Sequence, residues 1–161
     1  MAQGIAEIFA ALKSADVEFI VVGGVAAVLQ GAPITTLDLD IVHRRTPENV
    51  NRLARALESL DAVYRHDPRR LRPDASHLIG PGHQLTETAH GPLDCLGTVE
   101  DSTTYDDLLP HAEPIEVEGI SILVLSLPRL IEIKTKLSRP KDKLMLLQLE
   151  ATLAERTKND S

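Results

Sequence analysis

Apolar positions along the chain change period several times, and each change marks an element. Ile5, Ile8, Phe9 and Leu12 recur three and four apart, so residues 3–14 read as an amphipathic helix. The unbroken apolar run FIVV, residues 19–22, reads as a buried strand closed by Gly23-Gly24. VAAVLQ (25–30) suits a short helix, which Gly31 and Pro33 stop. Residues 37–42, LDLDIV, predict the next strand. Thr46 then reads as a helix cap with Pro47 at the first helical position, and Val50, Leu53, Ala54, Leu57 and Leu60 form the stripe of that helix. Residues 61–83 are rich in Pro, Arg and His and show little period. They read as loop, with a strand starting at 62–64. Strands follow at 84–89 and 93–99 around His90-Gly91-Pro92, and a hairpin at 115–117 and 120–124 turns on Glu118-Gly119. Ser126 is placed to cap a helix over 127–136. After the break at Pro140, residues 141–156 form a last helix with Leu144, Leu147, Leu149 and Leu153 on its apolar side, buried in the chain's own core.

Helices mixed with strands in this order predict an α+β fold, a mixed sheet flanked by helices. All 161 residues are read as a single domain, because no linker divides them. Aromatic residues are 2 % of the chain and Trp is absent, so the core must be aliphatic and base-stacking platforms are excluded. The formal net charge of −7 argues against binding nucleic acid by bulk electrostatics. Two local basic stretches stand against it, RHDPRRLR (65–72) and KTKLSRPKDK (134–143). One cysteine, Cys95, rules out an internal disulfide and a zinc-finger cluster. No apolar run approaches the ~20 residues that cross a bilayer, and no targeting segment precedes the first helix, so a cytoplasmic location is the expectation.

The chemistry concentrates in TLDLDIV. Asp38 and Asp40 stand two apart, which on a strand sends both to one face, ~6.6 Å apart along the backbone, while Leu37, Leu39 and Ile41 face the other way. Two acids on one face repel unless something positive answers them. Mg²⁺ takes carboxylate and phosphate oxygens, so the pair suits a metal shared with a nucleotide. Gly23-Gly24, between a strand and a helix, lets the backbone approach an anion closely. Asp94, in PLDCLG, lies in a second apolar strand. If that strand pairs with the one holding Asp38 and Asp40, three carboxylates converge.

VVGG (21–24) followed by TTLDLD (35–40) resembles the nucleotidyltransferase superfamily of the polymerase-beta type. The likeness is greater to its small minimal members and to the toxin components of the abortive-infection, type IV toxin–antitoxin class. GGVAAVLQGAPITTLDLDIV carries the front motif and LPRLIEIKTKLSRPKDKLMLLQLE a looser rear one, so the resemblance spans roughly 10–155. It implies metal-dependent transfer of a nucleoside monophosphate from an NTP to a hydroxyl on a small molecule, a protein or a tRNA. Asp38, Asp40 and Asp94 would be the catalytic acids and the ligands of Mg²⁺ or Mn²⁺. Gly23, Gly24, Lys134 and Lys141 would hold the nucleotide, with Lys136 and Arg139 as further candidates. A toxin-like member would also have a cognate antitoxin or inhibitor protein. The chain departs from the pattern at Ile34, where members often carry Arg, and beyond Lys141-Asp142, where another acid is often found.

Other readings use the same residues. Ile34 is the symptom expected of a catalytically weak protein that acts as a binding or regulatory partner. A metal-dependent phosphohydrolase would want a nearby histidine, and His43, the one close in sequence, reads as ending its strand in solvent. The 61–83 loop, with Arg65, Arg69, Arg70 and Arg72, is the expected seat of acceptor specificity. The leucines of the last helix also allow homodimerisation.

Overall fold

A computed structural model describes residues 4–36, 38–136 and 140–159; the side chain of Lys141 is not among those described. Seven α-helices, a 3-10 turn at Leu109–His111 and seven strands follow along these residues: α1 (Ile5–Ser14), β1 (Phe19–Val22), α2 (Gly23–Leu29), β2 (Leu39–His43), α3 (Pro47–Ser59), β3 (Val63–Tyr64), α4 (Ala75–Leu78), β4 (His83–Thr88), β5 (Gly91–Leu96), α5 (Tyr105–Leu108), β6 (Ala112–Val117), β7 (Ile120–Leu125), α6 (Leu127–Thr135) and α7 (Pro140–Asn159). The strands form one mixed sheet in the order β3-β4-β5-β2-β1-β7-β6. β2 runs parallel to β5 and β1 parallel to β7, whereas the remaining neighbours are antiparallel. This is the mixed α+β plan the pattern predicts.

Local rules account for most boundaries. The Thr46 side chain accepts a hydrogen bond from Asn49 N at 3.2 Å, and Pro47 opens α3 where its missing N–H costs nothing. Ser126 caps α6 in the same way through Arg129 N. Phe9 and Phe19, two of the few rings, stack at 6.3 Å, and the core around them is mainly aliphatic: Leu12, Ile20, Leu39, Ile41, Leu53 and Leu57 are fully buried. Asn49 is buried but fully used. Its amide accepts from Glu18 N and donates to the carbonyls of Glu18 and Arg44, which pins the start of α3 to β1 and the end of β2.

Several elements differ from the expected ones. The 61–83 segment is not a plain loop. Asp74 and His77 form a reciprocal capping box that sets the one-turn helix α4, and periodicity cannot register four residues. The one-turn α5 rests on a similar Thr104–Asp107 box. The short helix expected from Val25 begins two residues earlier, at Gly23. The acid-bearing strand begins at Leu39, so Asp38 precedes it, and Leu37 lies outside the described residues. His43 is buried, not solvated. Its Nε2 meets the carbonyl oxygen of Leu78 at 2.8 Å, and burial pushes its pKa down, so the ring is neutral with the proton on Nε2. The expected apolar side of α7 is also wrong in part. Leu149 is buried, but Leu144 and Leu147 are 61 % and 64 % exposed, because the helix turns a different face to α6.

Candidate active site

Alternation along β2 sorts its side chains between two environments. Leu39, Ile41 and His43 go to the face that meets α4; Asp40 goes to the opposite face, where α6 and α7 stand. On one side β1 pairs Val22 with Asp40, which brings the Gly23-Gly24 turn against the acid. On the other side β5 pairs Asp94 with Asp40 in parallel register, so the two carboxylates share a face on neighbouring strands. The convergence of Asp94 with the acidic strand is therefore a product of β2–β5 pairing. Asp38, one residue outside the strand and exposed, lies close enough to act electrostatically on Asp40.

The glycines are needed for this approach. Gly23 has φ +68°, and a Cβ there would collide with Oδ2 of Asp40. A Cβ on Gly24 would stand 2.6 Å from the hydroxyl of Thr36. The turn is thus fitted to the side chains of the TTLDLD segment.

Electrostatics follow from the packing. Burial is the largest cause pushing the Asp40 carboxyl up, to about 7; the charge of Asp94, a hydrogen bond shared with it, and the charge of Asp38 add to this, while Lys134 opposes it. Two cations answer the acids. Arg65, on the segment after β3, reaches across β4 and grips Asp94 with both prongs, Nη1 to Oδ1 at 2.9 Å and Nη2 to Oδ2 at 3.3 Å. Lys134 on α6 faces Asp40 from the other wall and is held by the buried Asp142 of α7 at 3.0 Å.

These groups line a cavity of about 810 Å³ with Gly23, His83, Leu85, Glu100, Asp101 and Lys136. Glu100 is tied to Arg129 and Lys136 and so fastens the loop after β5 to α6. Among the described residues, no three of His, Cys, Asp and Glu stand together as a ready metal cage. The donor set nevertheless suits a hard divalent cation: it is all carboxylate oxygen, two of the acids touch, and a third lies within electrostatic reach.

The predicted residues divide plainly. Gly23, Asp40, Asp94, Lys134 and Lys136 line the cavity, Asp38 and Gly24 adjoin it, Arg139 lies outside the described residues, and so does the side chain of Lys141. Ile34 packs against the core and is not in the cavity wall. Of the expected basic patch, Arg65 is turned inward onto Asp94, whereas Arg69 and Arg72 make exposed ion pairs with Asp67 and Asp61. Glu100 in the cavity wall, and Arg65 and Thr36 just behind it on Asp94 and Gly24, have roles here that the sequence reading does not assign; it places Arg65 among the residues of acceptor specificity. Only a search for the missing cation beside three acids would have separated Arg65 from Arg69, Arg70 and Arg72 and assigned it to Asp94.

The fold is shared with solved nucleotidyltransferases. The family model for aminoglycoside-2″-adenylyltransferase matches residues 4–82, which include β1, the Gly-Gly turn and β2. Among solved structures, a putative nucleotidyltransferase from Thermotoga maritima superposes with a TM-score of 0.57 at 19 % identity, covering 96 % of this chain and 91 % of the other. ANT(2″)-Ia in complex with adenylyl-2″-tobramycin superposes with a TM-score of 0.60 at 16 % identity, covering 96 % and 90 %. The solution structure of the antibiotic-resistance factor ANT(2″)-Ia gives 0.56 at 15 % identity, with 98 % and 91 % covered. No curated protein matches in sequence. Together these findings support the nucleotidyltransferase superfamily that the VVGG and TTLDLD motifs resemble.

Proposed function

We propose that this protein transfers a nucleoside monophosphate from an NTP to a hydroxyl of a cationic small molecule of the amino-sugar type. The observation that carries the reading is the in-register pairing of Asp40 and Asp94, with Gly23 fitted against Asp40, at the wall of a cavity large enough for nucleotide and acceptor. Asp38 and Asp40 would hold a divalent cation, Mg²⁺ or Mn²⁺, which when bound neutralises phosphate charge. Lys134 faces the same acids and would meet the triphosphate; Lys141 is carried as a second nucleotide contact on the rear motif alone. Asp94 would take the proton from the acceptor hydroxyl as its oxygen attacks the α-phosphorus. The bond from that phosphorus to the bridging oxygen breaks, and pyrophosphate leaves with the electron pair.

The amino-sugar acceptor draws on the family match over residues 4–82, on the solved neighbour bound to adenylyl-2″-tobramycin, and on Asp101 in the cavity wall. A toxin-like reading, with tRNA as acceptor and an antitoxin as inhibitor, would draw on the Arg-rich stretch; the withdrawal of Arg65 onto Asp94 counts against it.

The test is incubation of the purified chain with Mg²⁺, each of the four NTPs, and either a panel including tobramycin or bulk tRNA, read by mass spectrometry and pyrophosphate release. A product heavier by one nucleoside monophosphate on an amino sugar, lost in Asp40→Asn, supports the reading. Modification of tRNA alone would transfer it to the toxin-like class. Absence of transfer by a folded chain would favour a regulatory partner.

A further inference from the structure

Arg65 is 18 % exposed in its side chain and Asp94 9 %, so their ion pair is largely withdrawn from water. Its geometry is specific. The guanidinium meets both carboxylate oxygens of Asp94, and its Nη1 also donates to the carbonyl oxygen of Thr86 at 3.2 Å. The backbone N–H of Arg65 donates to the carbonyl of Leu85 at 3.0 Å, which anchors the side chain at its root. Leu85 is the register partner of Asp94 on β4, so Arg65 approaches from the β4 side of the sheet. Asp40 approaches Asp94 from the β2 side. Asp94 is therefore held between a cation on one flank and an acid on the other.

We propose that Arg65 is a positioning residue that divides labour among the three carboxylates. It fixes the plane of the Asp94 carboxylate toward the β4 side of the cavity, where exposed Leu85 and His83 leave room for an acceptor. It also offsets part of the negative charge of Asp94, so the cation settles on Asp38 and Asp40. The role rests on the transfer reaction given above: the acceptor hydroxyl's proton passes to Asp94 while its oxygen bonds to the α-phosphorus and pyrophosphate departs. Arg65 touches neither reactant and acts through Asp94 alone. Lysine can supply the charge but not the two-pronged grip, so it replaces Arg65 only in part.

The experiment compares wild type, Arg65→Ala and Arg65→Lys by two readouts. The first is steady-state transfer with MgATP and tobramycin, after thermal melts have established that each variant is folded. Arg65→Ala should lose on the order of 10–100-fold in kcat with KM for ATP within about threefold, the size expected when a proton acceptor is misoriented. Arg65→Lys should recover part of the loss, and millimolar guanidinium added to Arg65→Ala should recover more. The second readout is Mn²⁺ binding without nucleotide, followed by electron paramagnetic resonance. Removing the cation beside Asp94 should tighten Mn²⁺ binding about 3- to 10-fold. Unchanged kcat in Arg65→Ala, or unchanged Mn²⁺ affinity, overturns the assignment. No transfer by the wild type, with Mn²⁺ binding still tightened in Arg65→Ala, would instead overturn the transfer reading and leave the division of charge standing.

Discussion

At the scale of single residues, the site depends on two positions whose chemistry pulls against folding. Gly23 is held at φ +68° with its missing side chain in the space of Asp40 Oδ2. Gly23→Ala should therefore cost about 1–3 kcal/mol by urea unfolding and should abolish nucleotide transfer, because either the turn or the acid must move. Asp40 is a carboxyl raised from 3.8 to about 7, chiefly by burial. A raised acid is protonated in both states below 3.8, and its contribution to stability is whole there; it is lost as pH rises through 7. The metal-free protein should accordingly weaken between about pH 4 and 7. Asp40→Asn should remove that slope and be the more stable protein at pH 8, by on the order of 2–4 kcal/mol, while matching wild type near pH 4. Urea titrations in EDTA at the two pH values test this. An Asn variant weaker than wild type at pH 8 would mean that the carboxylate is not under strain.

Elements position the site through their ends. α3 begins at Thr46-Pro47, shortly after β2, and Asn49 in its first turn is bonded to Glu18, just before β1, and to Arg44, just after β2. Thr46→Ala removes the acceptor for Asn49 N and should cost about 1 kcal/mol, read as a lower urea midpoint with an unchanged slope. The short helices α4 and α5 were illegible because a single turn has no period; their capping boxes are visible only once Asp74 is seen beside His77 and Thr104 beside Asp107. The long elements were legible because burial repeats along them: α1, α3, β1 and β7 lie close to their expected places.

For the whole molecule, the unexpected feature is the outer face of α7. Leucines at 144 and 147 were assigned to the core by composition, yet they stand in solvent. Replacing both by Gln should leave unfolding free energy within about 0.5 kcal/mol of wild type, whereas Leu149→Ala should cost about 2–4 kcal/mol. Comparable losses for the two variants would place the exposed leucines in a contact within the folded chain. Among the described residues, no helix is long and apolar enough to cross a membrane.

Hydrophobic period, caps and glycines are local properties, and by themselves they determined the α+β class, the order of the long elements and the presence of a Gly-Gly turn ahead of an Asp-x-Asp segment. Side-chain alternation on β2 was enough to set Asp40 apart from Leu39 and Ile41. The rest needed contacts between distant segments. Register between β2 and β5 brought Asp94 to Asp40, 54 positions away in the chain. Crossing of β4 by a side chain rooted beyond β3 delivered Arg65 to Asp94, and packing of α6 on α7 delivered Lys134 and decided which leucines α7 buries. The partners of Asp94 and Asp40 are the cations the fold carries to them, and no spacing along the chain encodes those meetings.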